Sequence, residues 1–233
     1  SRLENFGGNR MNALVVAIDG PAGSGKSSVS KAAARRLGFS YYDTGAAYRA
    51  LAWAAMTAGA DLTDQDAVLA IQRAADYRAS EDPDNQAFVI DGTDVSEAIR
   101  GSDVSGAVSA IAQHTLVRAG LVEHFQKVLA GCENPGIIME GRDITTVVAP
   151  EAPVRVLLTA EEDVRIARRE AEMSGTTASP VAQSLKARDA SDSSVVDFMN
   201  AAPGVTVLDS GPLSFDQTVD SLLGIIADVR DAS

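Results

Sequence analysis

Residues 14–28 read "LVVAIDGPAGSGKSS", in which an apolar run leads into a glycine-rich turn. The run Ala13–Asp19 lacks polar alternation, which predicts a strand covered on both faces. The basic amphipathic stretch Ser27–Leu37 predicts a helix that ends at Gly38. The turn satisfies the pattern G-x-x-x-x-G-K-S/T over Gly20–Ser27, and it lies between a strand and a helix, which is the context that this motif requires.

The glycine-rich turn predicts a site for the phosphates of a nucleoside triphosphate. Glycine tolerates the required dihedral angles and lets backbone N–H groups approach phosphate oxygens, while the N-terminus of the next helix adds partial positive charge. Lys26 is expected to reach the β- and γ-phosphates, and the Ser27 hydroxyl is expected to hold Mg²⁺. The predicted ATP-binding residues are Gly20, Pro21, Ala22, Gly23, Ser24, Gly25, Lys26, Ser27 and Ser28.

The composition is that of a globular protein with a strong acidic excess. The chain has 233 residues, of which 45% are hydrophobic, and its formal net charge at pH 7 is −12. A field of this sign repels nucleic acid on average, although a small anion can still bind beside local arginines. The single cysteine, Cys132, excludes an intramolecular disulfide and fits a reducing compartment.

Targeting and membrane signals are missing from the sequence. No apolar run approaches the roughly 18 residues that a membrane span needs, and no signal-peptide pattern opens the chain. We therefore expect a cytoplasmic protein without a membrane partner, and the acidic excess disfavours a nucleic-acid partner. We also expect a monomer, although no sequence pattern determines the oligomeric state. Residues 1–10, "SRLENFGGNR", are polar and precede Met11, so we expect a cloning remnant before the natural start.

Apolar and amphipathic segments alternate along the chain. Further strands are predicted at Phe39–Thr44, Gly136–Gly141, Val154–Ala160 and Val205–Ser210. Further helices are predicted at Ala46–Ala58, Ser105–Ala130 and Glu161–Met173, and from Ser214, where Gln217 completes a capping box. Strands that alternate with helices predict an α/β fold with a doubly wound, five-stranded parallel sheet.

The segment 61–102 interrupts this alternation. It contains a predicted hairpin, with strands Phe88–Ile90 and Thr93–Val95 joined by the turn Asp91–Gly92. The segment keeps apolar residues, so we interpret it as a small inserted subdomain and not as a linker.

The rest of the chain is expected to form one core domain, residues 11–60 and 103–233. Within it, the Ser/Thr/Gly-rich stretch 174–180 predicts a short lid. Such a lid would shield a bound triphosphate from water.

Two motifs follow predicted strands and therefore lie at the carboxyl edge of the predicted sheet, where ligands bind. "DTGAAYR" places Thr44 and Arg49 at that edge, and "MEGRDITTVV" places Glu140, Arg142 and Asp143 there. An acidic residue at a strand end suits a water-mediated contact with Mg²⁺, and an arginine beside it suits a second phosphate. The sequence therefore predicts a cleft for two phosphorylated ligands.

The stretches "AIDGPAGSGKSSVSKAAARRLGFSYYDTGAAYRALA", "GRDITTVVAPEAPVRVLLTA" and "ARDASDS" resemble the bacterial cytidylate kinases, a family of P-loop nucleoside monophosphate kinases. The similarity runs from about Met11 to the final helix. It implies phosphorylation of CMP or dCMP by ATP with Mg²⁺, and a nucleoside-monophosphate-binding role for 61–102. Many families share the phosphate loop, so "DTGAAYR" and the motif around Arg142 are the more specific signals.

The resemblance also implies roles for individual residues. It implies that Lys26, Arg142 and Arg188 are catalytic. The residues that it implies for CMP binding are Thr44, Arg49, Ser109, Arg118, Arg142, Asp143, Arg188 and Asp192. Among these, Ser109 matches a serine that helps to read cytosine, and the two aspartates match contacts to the sugar. Arginine suits such a site because its guanidinium binds phosphate through two parallel hydrogen bonds.

The sequence leaves structural alternatives open for these residues. Thr44 could cap the following helix, and Ser109 could be a small residue on a packed helix. Asp143 could form a structural ion pair with an arginine, and Asp192 could be a plain loop carboxylate. The candidate arginines could form surface ion pairs in an acid-rich chain.

Several positions depart from the family pattern. Val195 stands where the pattern continues to another arginine, and Thr145 replaces a common glycine. One phosphate clamp is therefore expected to be missing unless Arg168 or Arg169 supplies it from the preceding helix. The alternative is that these two arginines form a solvated face with nearby acidic residues.

Two rival functions remain open at this point. One is another small-molecule P-loop kinase, acting on UMP or shikimate. The other is a degenerate kinase that binds nucleotide as a regulator. A regulatory GTPase is disfavoured because the chain has no N-K-x-D motif for reading guanine.

Overall fold

The computed structural model describes residues 13–172, 186, 189–190 and 197–232. Its strands are β1 Leu14–Asp19, β2 Ser40–Asp43, β3 Tyr77–Ala79, β4 Phe88–Ile90, β5 Thr93–Asp94, β6 Gly136–Gly141, β7 Val154–Thr159 and β8 Thr206–Asp209. Its helices are α1 Lys26–Leu37, α2 Thr44–Thr57, α3 Gln65–Ala74, α4 Ser102–Ala112, α5 Thr115–Gly131, α6 Glu162–Glu172 and α7 Phe215–Asp231. A 3₁₀ turn covers Ala98–Arg100, and a π-helical turn covers Ile144–Val148. The expected cloning remnant at 1–10 and the expected lid at 174–180 lie outside the described residues.

Five strands form one parallel sheet in the order β2-β6-β1-β7-β8, which confirms the predicted doubly wound sheet. The register pairs Asp19, the last residue of β1, with Gly141, and Asp43, the last residue of β2, with Glu140. The carboxyl ends of these three strands therefore meet at the same edge. The predicted strands of this sheet differ from the observed ones by no more than one residue at either end.

Helices cover both faces of the sheet because its strands are apolar on both faces. On one face, Val16 and Ile18 of β1 pack in a cluster with buried residues of α1 and α7, such as Ala33 and Leu222. On the other face, Ala17 packs in a cluster with residues of α2 and α5. This alternation along β1 fixes its register. None of the described helices is long and apolar enough to cross a membrane.

Most helix ends agree with the sequence pattern. Gly38 ends α1 with a φ of 66°, and its N–H donates to the Ala34 carbonyl. The predicted capping box of α7 is present, since the Gln217 N–H donates to Ser214 Oγ at 3.2 Å and the Ser214 N–H donates to Gln217 Oε1 at 2.9 Å.

The single long helix predicted over Ser105–Ala130 is wrong, because the chain divides there into α4 and α5. Gln113 ends α4, and His114 adopts extended angles, φ −78° and ψ 110°, before α5 begins. The His114 ring nitrogen Nε2 lies 2.8 Å from the Leu62 carbonyl oxygen. Apolar spacing continues across the break, so periodicity alone does not reveal it. The break lets α4 pack on α2 while α5 packs on α3.

The segment 61–102 carries a second, three-stranded antiparallel sheet in the order β3-β4-β5. The predicted hairpin is present, and its turn residues Asp91 and Gly92 have φ of 50° and 77°, as a two-residue hairpin turn requires. The strand β3 is not predicted from the sequence, because three residues give too short a pattern. The small sheet packs on α2 through a buried cluster that contains Ala46, Ala50, Phe88, Ile90, Val95 and Ile99.

A buried carboxylate ties the end of β1 to the π-helical turn. Asp19 accepts hydrogen bonds from the Ile144 N–H at 2.9 Å, the Thr145 N–H at 2.8 Å and the Thr145 hydroxyl at 2.6 Å. Burial raises the pKa of Asp19, and the Thr145 hydroxyl opposes that rise by bonding to the carboxylate. The departure from the family pattern at Thr145 therefore adds a hydrogen bond to a buried charge.

We expect Thr145→Val to destabilise the protein more at neutral pH than at acid pH. The hydroxyl stabilises the ionised form of Asp19, so its loss raises the pKa of Asp19 further, and the added cost appears as pH rises through that pKa. The free energy of unfolding at pH 7 should fall by about 1.5–3 kcal/mol, the range for a hydrogen bond to a charged group. Denaturant unfolding at pH 7 and at pH 4 measures the difference.

The matched control is Thr146→Val, because Thr146 is an exposed residue of the same π-helical turn. This variant should unfold with nearly unchanged free energy at both pH values. Equal losses for the two variants, or a loss for Thr145→Val that does not depend on pH, would contradict the role given to the hydroxyl.

Candidate active site

The glycine-rich turn forms a loop between β1 and α1. Gly20 has a φ of 158°, and a Cβ there would lie 2.1 Å from the Leu158 carbonyl oxygen, so a side chain would collide with β7. Gly23 and Gly25 have φ of 76° and 87°, which favour glycine. Within the described ranges, no side chain caps the N-terminus of α1, and its first turn holds no acidic residue. The N–H groups and the dipole of that turn therefore suit an anion.

Glu140, at the end of β6, lies beside the lysine and the serine of this loop. Its carboxylate is buried and accepts hydrogen bonds from the Ser27 hydroxyl and, at 2.8 Å, from the Tyr41 hydroxyl. Lys26 Nζ lies 3.9 Å from Glu140 Oε2. Burial, and then the charge of Glu140, raises the pKa of Tyr41 well above its ordinary value, so Tyr41 remains a hydrogen-bond donor. Ser27 and Glu140 present the hard oxygen donors that Mg²⁺ prefers.

Asp43 and Arg49 form an ion pair at the start of α2. Arg49 Nη2 lies 2.9 Å from Asp43 Oδ2, and the other carboxylate oxygen accepts the Ala46 N–H at 3.1 Å. Burial opposes the charge on both groups, but their mutual attraction outweighs burial, so the pKa of Asp43 is lowered and that of Arg49 is raised. Asp43 is the N-cap of α2, so Thr44 is not the cap. The Thr44 hydroxyl instead donates to the Glu140 carbonyl at 2.8 Å.

Arg118 of α5 pairs with Asp143, which follows β6. Arg118 Nη2 lies 2.7 Å from Asp143 Oδ2. Burial disfavours the guanidinium charge, but Asp143 outweighs this effect and raises the pKa of Arg118. The structure therefore contains the ion pair that was the structural alternative for Asp143, and its partner is Arg118. Ser109 is a half-buried residue of α4, and in the described part of the chain it makes no polar contact with the other candidate residues.

Arg142 points towards the phosphate loop. Its guanidinium donates to the Gly20 carbonyl, and its Cζ lies 4.7 Å from the centre of the Phe198 ring. The Asp189 carboxylate lies 3.9 Å from Arg142 Nη2. Arg142 is thus held between an aromatic face and an acidic group at the edge of the loop.

Helix α6 brings two further arginines to the loop. Arg168 donates to the Ser24 carbonyl at 3.3 Å and to the hydroxyl and carbonyl of Ser210 at 2.8 Å and 2.7 Å. Arg168 therefore belongs to the loop and not to a solvated ion-paired face. Arg165 is buried and donates to the Ala22 carbonyl at 2.9 Å.

Sequence reasoning does not identify Arg165, Asp189 or Asp43 as site residues. Asp43 has a visible signal, because it follows a predicted strand directly at the carboxyl edge. Arg165 has none, since it stands in a heavily charged helical segment where an exposed position is expected. The predicted residues Arg188 and Asp192 lie outside the described residues.

The phosphate loop and the arginines around it agree with the family that the sequence of the chain matches. The sequence profile described as cytidylate kinase matches residues 16–228. The chain belongs to the cytidylate kinase family. The cytidylate kinase of Streptomyces avermitilis is 38% identical over 99% of this chain and 100% of that protein. The cytidylate kinase of Cutibacterium acnes is 44% identical over 91% of this chain and 96% of that protein.

Membership of the cytidylate kinase family confirms the resemblance and the prediction of an ATP-dependent kinase. The cytidylate kinase of Mycobacterium avium is 41% identical over 91% of this chain and 95% of that protein. A solved structure of an uncharacterised protein from Eubacterium ventriosum covers 92% of this chain and 98% of its own, with a TM-score of 0.51 and 12% identity. At that identity the structural likeness shows a shared fold alone.

We expect Asp43→Asn to lower the free energy of unfolding at neutral pH by about 2 kcal/mol, as for loss of a hydrogen bond to a charged group. Because Arg49 holds the pKa of Asp43 below its ordinary value, the carboxylate stabilises the fold above the pH at which aspartate titrates in the unfolded chain. That contribution disappears as pH falls through the lowered pKa. Unfolding of both proteins from pH 7 to pH 3 should therefore show their difference shrinking in acid.

Asp64→Asn is the matched control, because Asp64 also caps a helix. Its carboxylate accepts the N–H groups of Asp66 and Ala67 at 3.0 Å and 3.3 Å, and it pairs with no arginine in the described part of the chain. The control should lose much less stability. A loss as large as that of Asp43→Asn would mean that capping, and not the ion pair, accounts for the effect.

Proposed function

We propose that this chain transfers the γ-phosphoryl group of ATP to CMP or dCMP, giving ADP and CDP or dCDP. The observation that carries the proposal is the convergence of cations on one edge of the sheet. Lys26 begins α1 at the end of the phosphate loop, Arg142 reaches that loop from just beyond β6, and Arg49 of α2 pairs with Asp43 at the end of β2. The relatives named cytidylate kinase support CMP as the acceptor.

The donor triphosphate is proposed to bind along Gly20–Ser28. The uncapped first turn of α1 offers N–H groups to the phosphates, and Lys26 is close enough to Glu140 to be held in place until phosphate arrives. Ser27 would hold Mg²⁺ directly, and Glu140 would hold it through water. The described residues contain no cluster of three or more carboxylate, histidine or cysteine ligands, which fits an ion that binds mainly to phosphate and water. Bound Mg²⁺ supplies neutralisation of phosphate charge.

The acceptor is proposed to bind on the side of the cleft that α2, α4 and α5 form. Arg49 and Arg142 would neutralise its phosphate, and Arg118 with Asp143 would contact the nucleoside. Ser109 would contribute to reading cytosine. Arg188 and Asp192 complete this proposed set, and residues 61–102 are proposed as the subdomain that closes over the acceptor.

The proposed reaction is a direct in-line displacement at the γ-phosphorus. The acceptor phosphate oxygen is already ionised at neutral pH, so no strong general base is needed. The chain's own residues act by alignment and by stabilising charge, since phosphoryl transfer demands little covalent chemistry from the protein. Lys26 and Arg142 would face the transferring group, and Arg188 would join them. We propose a cytoplasmic, monomeric enzyme.

The acceptor preference can be measured directly. A coupled assay of ADP formation with ATP and a panel of acceptors should give high rates with CMP and dCMP, and far lower rates with AMP and GMP. The expected reason is that Ser109 is proposed to read cytosine, and a larger purine base would present different polar groups at that position. Equal rates with all bases would contradict the proposal, as would a preference for shikimate. Tight CMP binding without turnover would favour the degenerate regulator.

We expect Arg49→Met to raise the KM for CMP about 10- to 100-fold while leaving the KM for ATP unchanged. The range corresponds to the loss of one charge-assisted hydrogen bond to phosphate. The KM of Arg49→Lys for CMP should lie between those of Arg49→Met and the unaltered protein, because an ammonium keeps the charge but not the planar fork. The matched control is Arg78→Met, since Arg78 is an exposed residue of β3 that pairs with Asp76 at 2.7 Å. Equal effects on both KM values would contradict the acceptor role of Arg49.

A further inference from the structure

The carboxylate of Asp189 lies against the backbone of the phosphate loop at Ala22. Its Oδ1 accepts the Ala22 N–H at 3.2 Å, and its Oδ2 accepts a hydrogen bond from the Arg165 guanidinium. Arg142 Nη2 lies 3.9 Å from the same carboxylate. One acidic group therefore contacts the loop backbone, the helix α6 and the arginine that follows β6.

Arg165 completes the attachment at the same residue of the loop. Its side chain is only 5% exposed, and its Nη1 donates to the Ala22 carbonyl at 2.9 Å while its Nε donates to the Ala160 carbonyl at 3.2 Å. The N–H and the carbonyl of Ala22 are thus both bound, one by each member of the pair. A Cβ on Gly23 would lie 2.9 Å from the Arg165 carbonyl oxygen, so α6 packs directly on the loop backbone.

This attachment acts on the part of the loop that must be rigid. Phosphate binding by backbone N–H groups depends on their being aimed before the ligand arrives, and a misplacement of about 1 Å can cost a hundredfold in rate. Neither Arg165 nor Asp189 needs to touch a nucleotide to have this effect. Their charges are mutually dependent, because removal of Asp189 would leave the buried Arg165 guanidinium without its carboxylate, and removal of Arg165 would leave Asp189 with only the more distant Arg142.

We propose that Arg165 and Asp189 form a positioning pair that fixes the phosphate loop at Ala22 and orients Arg142 for the same site. The role given to Arg142 rests on the proposed function. The effect of the pair on the phosphate loop concerns ATP binding alone. The pair therefore sets how tightly the loop holds a triphosphate, whatever the acceptor is.

The test uses Arg165→Met, Asp189→Asn and the double variant in the full chain. Titration with MgATP in the absence of any acceptor should give each single variant a dissociation constant about 10- to 100-fold higher than that of the unaltered protein. This range corresponds to the loss of a charge-assisted hydrogen bond. The double variant should bind MgATP about as tightly as the single variant with the lower affinity, because the two side chains act as a unit. In the presence of CMP, the share of ATP that is hydrolysed without transfer should rise.

Lys186→Met is the matched control, because Lys186 and Glu162 form an exposed pair, 2.8 Å apart, between α6 and the chain near Asp189. Its MgATP affinity should equal that of the unaltered protein. Thermal unfolding of every variant, with titrations kept well below the transitions, separates a stability effect from a positioning effect.

A fall in melting temperature with unchanged MgATP affinity would overturn the proposal, and so would independent, additive losses in the double variant. Failure of the proposed function would give a different result. The unaltered protein would then bind MgATP and form no CDP, while the variants would still differ from it in MgATP affinity.

Discussion

The buried carboxylate of Glu140 is the constraint on which the rest of the site depends. Glu140 is the penultimate residue of β6, which lies between β2 and β1, and its side chain is almost fully buried. A buried carboxylate is costly unless donors surround it. These donors come from Tyr41 of β2 and Ser27 of α1, with Lys26 3.9 Å away. Satisfying one charge therefore holds two strand ends and the phosphate loop in a single arrangement.

The same logic organises the side of the cleft that is proposed to hold the acceptor. Arg49 pairs with Asp43, and Arg118 pairs with Asp143, so the guanidinium groups have fixed positions before a nucleotide arrives. Such preorganisation lowers the cost of reorientation when phosphate binds. It also explains how a chain with a net charge of −12 can bind polyphosphates, since the local cations, and not the distant field, decide the interaction.

Features set by local pattern could be predicted from the sequence, and features set by distant contacts could not. The phosphate loop and β1 follow from glycine spacing and an unbroken apolar run. The division between α4 and α5 involves the contact of His114 with the Leu62 carbonyl, far away in sequence. The burial of Arg165 depends on the positions of Ala22 and Asp189, so its helix pattern could not reveal it. Thr145 departs from the family pattern, and the bond of its hydroxyl to Asp19 could not be predicted because the two residues lie far apart in the sequence.

The most direct test of the central claim, that one crevice holds donor and acceptor end to end, uses an inhibitor that joins adenosine and cytidine through a chain of phosphates. The account predicts competition with both ATP and CMP, and a dissociation constant below that of either nucleotide. Lys26→Met and Arg49→Met should each weaken the inhibitor, because each removes a cation from one half of the cleft. Competition with ATP alone, at an affinity no better than that of ATP, would contradict the account.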